Sequence, residues 1–220
     1  MTIEKARYWA ENMTELSKND RLWLNNPVIM QGVGLAPMVV AATSGYTALV
    51  LAVAVAVMLT PTRVAGAVLR KALGEQYDRF AVLCYALPAA LCYIAAYFLV
   101  RHLWGPSALQ QVGVYLPLLV FEPLIIRRYR AAVPEGPARA LRRGLYTTVG
   151  YLVVLLGVGL ARELLAQGSL MGVQLLEVQL FPLAAQPAGG FMLLGAVCAA
   201  WRGRVRAFKR NIYQEVERNK

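Results

Sequence analysis

Apolar residues collect along this chain in six blocks, at about residues 27 to 43, 46 to 60, 80 to 100, 109 to 126, 144 to 166 and 188 to 201. A helix needs about 20 apolar residues to cross roughly 30 Å of hydrocarbon; the third and fifth blocks reach that length, and the others are short or broken. None alternates apolar and polar positions as a barrel strand does. A segment in lipid must also satisfy its own backbone hydrogen bonds, so each block is predicted to be helical. The pattern predicts an all-α membrane protein of six transmembrane helices. Its divisions are a cytoplasmic amphipathic segment at 1–26, a six-helix membrane domain at 27–203 and a basic cytoplasmic tail at 204–220.

Composition agrees with lipid as the solvent: of 220 residues, 58% are hydrophobic and only 16% charged, and the mean hydropathy is +0.48. Neither figure describes a soluble globular domain. Charge adds orientation, because Lys and Arg gather on cytoplasmic connections. Four basic residues precede the first block, four lie between the second and third, six between the fourth and fifth, and seven follow the sixth, which is 21 of the 23 in the chain. Arg101 falls on an opposite connection and Arg162 at the edge of the fifth block. This distribution predicts a multi-pass protein of the plasma (inner) membrane with both termini cytoplasmic. It also assigns the net charge of +11 to contact with anionic lipid rather than nucleic acid.

The first 24 residues carry four acidic side chains and no apolar core of signal-peptide length. Ile3, Ala6, Ala10, Met13 and Leu16 recur at near-helical spacing, with Trp9 and Trp23 nearby, which predicts an amphipathic helix. Membrane anchoring and partner docking both fit it. Cys84, Cys92 and Cys198 form no CxxC pair and lie apart from the single histidine, His102, so packing thiols are the expectation. No zinc spacing, phosphate loop, nucleophile elbow or Rossmann turn occurs, and no self-contained enzyme chemistry is visible.

An internal echo stands out. Gln31-Gly-Val-Gly-Leu-Ala-Pro37-Met-Val-Val40 in the first block parallels Gln111-Val-Gly-Val-Tyr-Leu-Pro117-Leu-Leu-Val120 in the fourth. Each copy opens a group of three blocks, and an odd number of spans per group gives the halves opposite orientations, so the pattern predicts two inverted three-helix repeats. Pro37 and Pro117 cannot donate backbone hydrogen bonds, which predicts that the first and fourth helices are broken or half-spanning. Broken segments at matching positions point to a site near the midplane; ordinary proline kinks are the alternative.

From these residues a family resemblance emerges. Asn25-Asn-Pro-Val-Ile-Met-Gln31 followed by Gly34-Leu-Ala-Pro37 resembles the opening span of the D/E-type membrane subunits of Rnf and Nqr complexes. Val112-Gly-Val-Tyr-Leu-Pro-Leu-Leu-Val120, Gly136-Pro-Ala138, Arg162-Glu-Leu-Leu-Ala-Gln-Gly-Ser-Leu170 and Pro187-Ala-Gly-Gly-Phe191 follow in that family's order and spacing, over roughly residues 22 to 203. The Arg-Glu run and the basic tail resemble the Nqr D or Rnf E branch. The resemblance implies a six-span fold paired with a homologous sister subunit, inside a multi-subunit redox pump that couples electron transfer to sodium or proton transport. In such a complex this chain is at most a non-catalytic subunit of a translocase.

One departure is chemical. The family carries a cysteine in each half-spanning helix, and the paired subunits hold an iron or iron-sulfur centre between them. Here the Gly-Leu-Cys-Pro motif reads Gly34-Leu35-Ala36-Pro37, and the Thr-Asn-Cys motif reads Phe121-Glu122-Pro123. Alanine and proline cannot bind iron, so no cofactor is expected in this chain. Glu122 and Pro123, with Pro37 and Pro117, are the candidate ion-path or midplane residues; Glu122 fits a structural role near the cytoplasmic end as well as an ion path. Arg162 and Glu163 point in different directions around their helix and are expected at the membrane interface or against a partner subunit. The segment from Gln167 to Gln186 holds no Lys or Arg and is expected to lie in the interface. Besides the redox subunit, two further function classes fit: a stand-alone transporter of a small ion or solute on the same scaffold, and a redox-inactive membrane scaffold.

Overall fold

The computed structural model describes residues 3–30, 32, 35, 37–113, 115–121 and 136–218. Among the described residues six α-helices dominate: α1 (Ile3–Asn19), α2 (Gly45–Leu73), α3 (Tyr77–Val112), α4 (Tyr115–Phe121), α5 (Pro137–Gln167) and α6 (Pro187–Arg218), with a π-helical turn at Pro37–Ala41 ahead of α2. Among the described residues three helices are long and apolar enough to cross a membrane, at Gly45–Leu73, Arg79–Val112 and Pro137–Gln167.

Local chemistry sets the helix ends. Ser44 takes an extended conformation and caps α2 through a reciprocal box: the Thr47 N–H donates to Ser44 Oγ at 3.2 Å, and the Ser44 N–H donates to Thr47 Oγ1 at 3.0 Å. The sequence pattern ends the second block before Pro61, yet α2 runs through it to Leu73, because neighbouring helices hold the turn whose hydrogen bond proline removes. Similarly, α3 continues past the expected end of the third block. Arg101 and His102 therefore lie within the helix rather than on a connection; Gly105, at φ 77° and ψ −177°, then breaks it, and a second helical stretch runs from Pro106 to Val112. Pro137 opens α5 at a position where its missing N–H costs nothing, and Gly168 closes it in the left-handed conformation.

The core forms where α2 lies between α3 and α5. Leu51, Met58, Leu59, Tyr151 and Leu155 are fully buried there. Small residues bring α2 and α5 close: a Cβ on Gly159 would collide with Ala48, and a Thr60–Thr148 hydroxyl hydrogen bond of 2.9 Å crosses the seam. In contrast, α3 turns Leu87 (64% exposed), Leu91 (68%) and Phe98 (60%) outward, a face that requires lipid or another protein as its surroundings. The basic tail continues α6 as one helix to Arg218. The amphipathic α1 packs on it through Trp9 edge-on to Phe208, with ring centroids 5.7 Å apart, and through Lys209 Nζ donating to Ser17 Oγ at 3.3 Å.

Of the first echo the described residues include the start of the π-helical turn, and of the second the first residues of α4; these two elements lie against each other. Gly159→Leu is expected to destabilise the α2–α5 seam by about 1–3 kcal/mol, read as a lower thermal midpoint in detergent. Gly157→Leu, whose Cβ would meet open space, is expected to leave that midpoint unchanged.

Candidate functional site: a buried arginine and glutamate at the end of α5

Adjacent charges sit in the last turns of α5, and the chain folds over both. Arg162 is fully buried and Glu163 is 2% exposed. After Gly168 the chain forms a two-residue hairpin, β1 (Ser169–Leu170) and β2 (Val173–Gln174), in antiparallel register. Its turn residues Met171 and Gly172 both have positive φ. A 3₁₀ turn at Pro182–Ala185 then leads into α6. These pieces close the end of α5 from outside, and the π-helical turn and the start of α2 close it from within.

Arg162 gathers backbone carbonyls. Its Nε donates to Ala184 O at 2.9 Å; Nη1 donates to Ala42 O at 2.9 Å and to Val39 O; Nη2 donates to Gln186 O at 3.3 Å and to Ala185 O at 3.4 Å. The planar fork can serve several acceptors at once, which a lysine ammonium cannot do in the same geometry. Glu163 does the converse. One carboxylate oxygen, Oε2, accepts from Gly45 N at 2.7 Å, at the first residue of α2; the other accepts from Gly172 N at 2.9 Å and from Ser169 Oγ at 3.2 Å. A carboxylate at a helix N-terminus also meets the favourable end of the helix dipole. The pair thus divides the labour: the cation binds stranded carbonyls of the π-helical turn and the 3₁₀ turn, and the anion binds stranded N–H groups of α2 and the hairpin.

Small residues make room for this. A Cβ on Gly190 would stand 3.0 Å from both Arg162 Cζ and Val39 O, and one on Gly45 would stand 2.7 Å from Met171 Sδ. Beside Glu163 opens a polar cleft of about 440 Å³ lined by Thr43, Ser44, Tyr46, Thr47, Gln111, Gln167 and Gly172. Gln111 is the first residue of the second echo, so the structure brings that motif to the start of α2. Among the described residues no group of three His, Cys, Asp or Glu could hold a metal.

The sequence-derived candidates fall unevenly on this site. Pro37 opens the π-helical turn whose later carbonyls reach Arg162. Pro117 is half-buried in α4, between the buried Leu116 and Leu119. Ala36, Glu122 and Pro123 lie outside the described residues. Arg162 and Glu163, expected to snorkel to the interface or to face a partner, are enclosed by their own chain because the hairpin and 3₁₀ turn fold back over them. Sequence reasoning missed Val39, Ala42, Gly45 and Gly172, which act through backbone groups and leave no chemical signature; Ser169, which acts through its hydroxyl, and Gly190, which acts through smallness, entered only as parts of family motifs. The available signal was the charge pair itself, at the edge of an apolar block.

Arg162→Met leaves the carbonyls of Val39, Ala42 and Ala184 without their charged donor, and removing one member of such a buried network costs about 3–5 kcal/mol. The expected outcome is a large loss of monodisperse protein on size-exclusion chromatography. Arg162→Lys is expected to restore only part of it.

The comparisons with known proteins address the whole chain. Residues 16–198 match the family described as "Rnf-Nqr subunit, membrane protein". A protein from Pseudomonas paraeruginosa, named as the E-type subunit of an ion-translocating oxidoreductase complex, is 33% identical over 209 residues, covering 86% of this chain and 84% of the relative. Proteins of the same name from Pseudoalteromonas atlantica, 29% identical over 81% of this chain and 82% of the relative, and from Buchnera aphidicola, 24% identical over 90% and 93%, are also similar. With the matched family running from α1 into α6, and the Arg-Glu run of α5 at the centre of the fold, this chain belongs to the Rnf-Nqr family of membrane subunits.

Proposed function

We propose that this chain is the E-type membrane subunit of an ion-translocating electron transport complex of the Rnf kind, seated in the plasma membrane beside a homologous sister subunit. The observation that carries the reading is the likeness, over most of both chains, to proteins named as the E-type subunit of an ion-translocating oxidoreductase complex. The exposed apolar face of α3 offers surface for lipid and for a sister subunit alike. The contact between the π-helical turn and α4 supports six spans in two inverted repeats, with these pieces as the broken first and fourth helices. Alternation of charge supports cytoplasmic termini: Arg63 of α2 lies near Gly144 of α5, so the basic end of α2 and the basic start of α5 share one side.

In this reading the chain contributes no ligand to the iron-sulfur centre of its family. The donor set does not fit one. The positions at which the family resemblance places cysteines are Ala36 and Pro123, while Cys84 and Cys92 belong to α3 and Cys198 to α6, outside those motifs in the sequence. What the chain supplies instead is scaffold and polar path: a bundle that keeps non-helical backbone inside the membrane by caging it around Arg162 and Glu163, with the hydroxyl-lined cleft at the start of α2 and Glu122 as ion-path candidates.

Affinity purification of the tagged chain from its native membrane in mild detergent, with mass spectrometry and iron analysis, tests both parts. Flavin-bearing and iron-sulfur subunits are expected in fixed stoichiometry, with no iron in the separated subunit. Recovery of the chain alone would overturn membership of a redox complex and favour the stand-alone transporter. Iron held by the isolated subunit would overturn the missing-ligand reading.

A further inference from the structure

At the opposite end of α5 from the buried charge pair, two cavities open side by side. One, of about 550 Å³, is lined by Leu16, Asp20, Arg21, Leu22, Arg139, Arg142, Arg143 and Tyr146. The other, of about 450 Å³, is bounded by Leu22, Ala138, Leu141, Arg142, Leu145, Tyr146 and Val149. Leu22, Arg142 and Tyr146 belong to both, so the cavities form one groove with a cationic half and an apolar half. We propose that this groove is a binding site for an anionic glycerophospholipid, its phosphate held by Arg139 and Arg142 and one acyl chain laid along Leu141, Leu145 and Val149.

Helical spacing builds the two halves from one stretch of sequence. Ala138, Leu141, Leu145 and Val149 recur at three- and four-residue intervals and form a stripe on α5, beside a second stripe made by Arg139, Arg142, Arg143 and Tyr146. Leu141, Leu145, Tyr146 and Val149 are each about half exposed, which in water is unfavourable for an apolar wall and in a bilayer is an acyl contact. The apolar half continues into the membrane-crossing part of α5, and the cationic half lies at its basic start, so the polarity runs in the direction a lipid has. Tyr146 sits at the boundary, with the Arg142 guanidinium carbon 6.0 Å from its ring centroid, the place where amphipathic rings collect in membranes.

Charge selects the headgroup. Four arginines line the cationic half, and the one carboxylate among its described residues is already committed: Asp20 accepts from the backbone N–H groups of Leu22 at 2.9 Å, Trp23 at 3.0 Å and Leu24 at 3.1 Å, where it fixes the turn after α1. Arg139 is exposed and makes no hydrogen bond or ion pair among the described residues. Guanidinium groups bind phosphate oxygens in a bidentate way, and a headgroup with net negative charge, such as phosphatidylglycerol, gains from the excess of cations where a zwitterionic one does not. A soluble phosphate would leave the apolar half unused, and a lipid fills both.

The test uses the full chain in the assembly with which it purifies, stripped of lipid by detergent washing and analysed by native mass spectrometry. Dioleoylphosphatidylglycerol, dioleoylphosphatidylcholine and inorganic phosphate are added separately. The expected result is a one-to-one phosphatidylglycerol adduct at least tenfold tighter than that of phosphatidylcholine, and not displaced by phosphate. Arg139→Gln with Arg142→Gln is expected to weaken it about tenfold or more, with the thermal midpoint unchanged because both side chains are exposed. Leu145→Trp, which fills the apolar half and keeps every charge, is expected to weaken it too. Arg206→Gln with Arg210→Gln, which removes the same charge from exposed positions of α6, is expected to have no effect. Equal binding of the two lipids, displacement by phosphate alone, or an adduct indifferent to the Arg139/Arg142 pair would overturn the proposal. So would arginine variants that keep the lipid and lose a co-purifying subunit, since the face would then belong to a protein.

Discussion

A guanidinium taken out of water must find acceptors for its N–H donors, and here they are backbone carbonyls beside helix ends, one of which, Gln186 O, also accepts from Gly190 N at 3.0 Å. Arg162 finds five, two before α2 and three in the 3₁₀ turn and the residue that follows it. The dependence runs both ways. Non-helical backbone at membrane depth is tolerated where protein encloses it and satisfies its polar groups, so the π-helical turn and the 3₁₀ turn hold their shapes because the cation is there. Glu163 completes the arrangement for donors at the start of α2 and in the hairpin. In low dielectric such a network is strong when complete and costly when broken, and it ties together pieces that are more than 100 residues apart in the chain.

Around this anchor the bundle is built from ordinary membrane physics. α2 and α5 approach through glycine, alanine and threonine, where packing rather than hydrophobic exclusion supplies the attraction. α3 closes one side of α2 and leaves its outer face apolar. α1 and the second half of α6 pack on each other through aromatic rings. The turn after α1 meets the middle of α6, where the Trp23 and Trp201 rings lie 4.8 Å apart by centroid and Trp201 Nε1 donates to Trp23 O at 3.1 Å. The result has two chemically distinct ends on α5: a cage of satisfied charges beside a polar cleft at its last turn, and a row of arginines at its first.

The three cysteines lie in apolar surroundings: Cys84 is buried in the core, and Cys92 and Cys198 rest partly buried against it. Family membership speaks for the scaffold and for a place in a complex, not for the chemistry of particular side chains.

The sequence by itself determined the solvent and the class. Apolar blocks of spanning length, the alternation of basic connections and the quoted motifs were enough for a helical membrane protein of the Rnf-Nqr family, because lipid imposes its demand on every residue of a span and so writes it into composition. Helix limits were less legible: α2 passes through Pro61, since neighbours decide whether a proline ends a helix, and α3 outruns its apolar block as far as the break at Gly105. Only the tertiary structure decided the fate of Arg162 and Glu163. Their burial depends on a hairpin and a 3₁₀ turn folding back from beyond Gly168 and on carbonyls and N–H groups contributed from residues 39 to 45, and backbone groups are the same in every sequence.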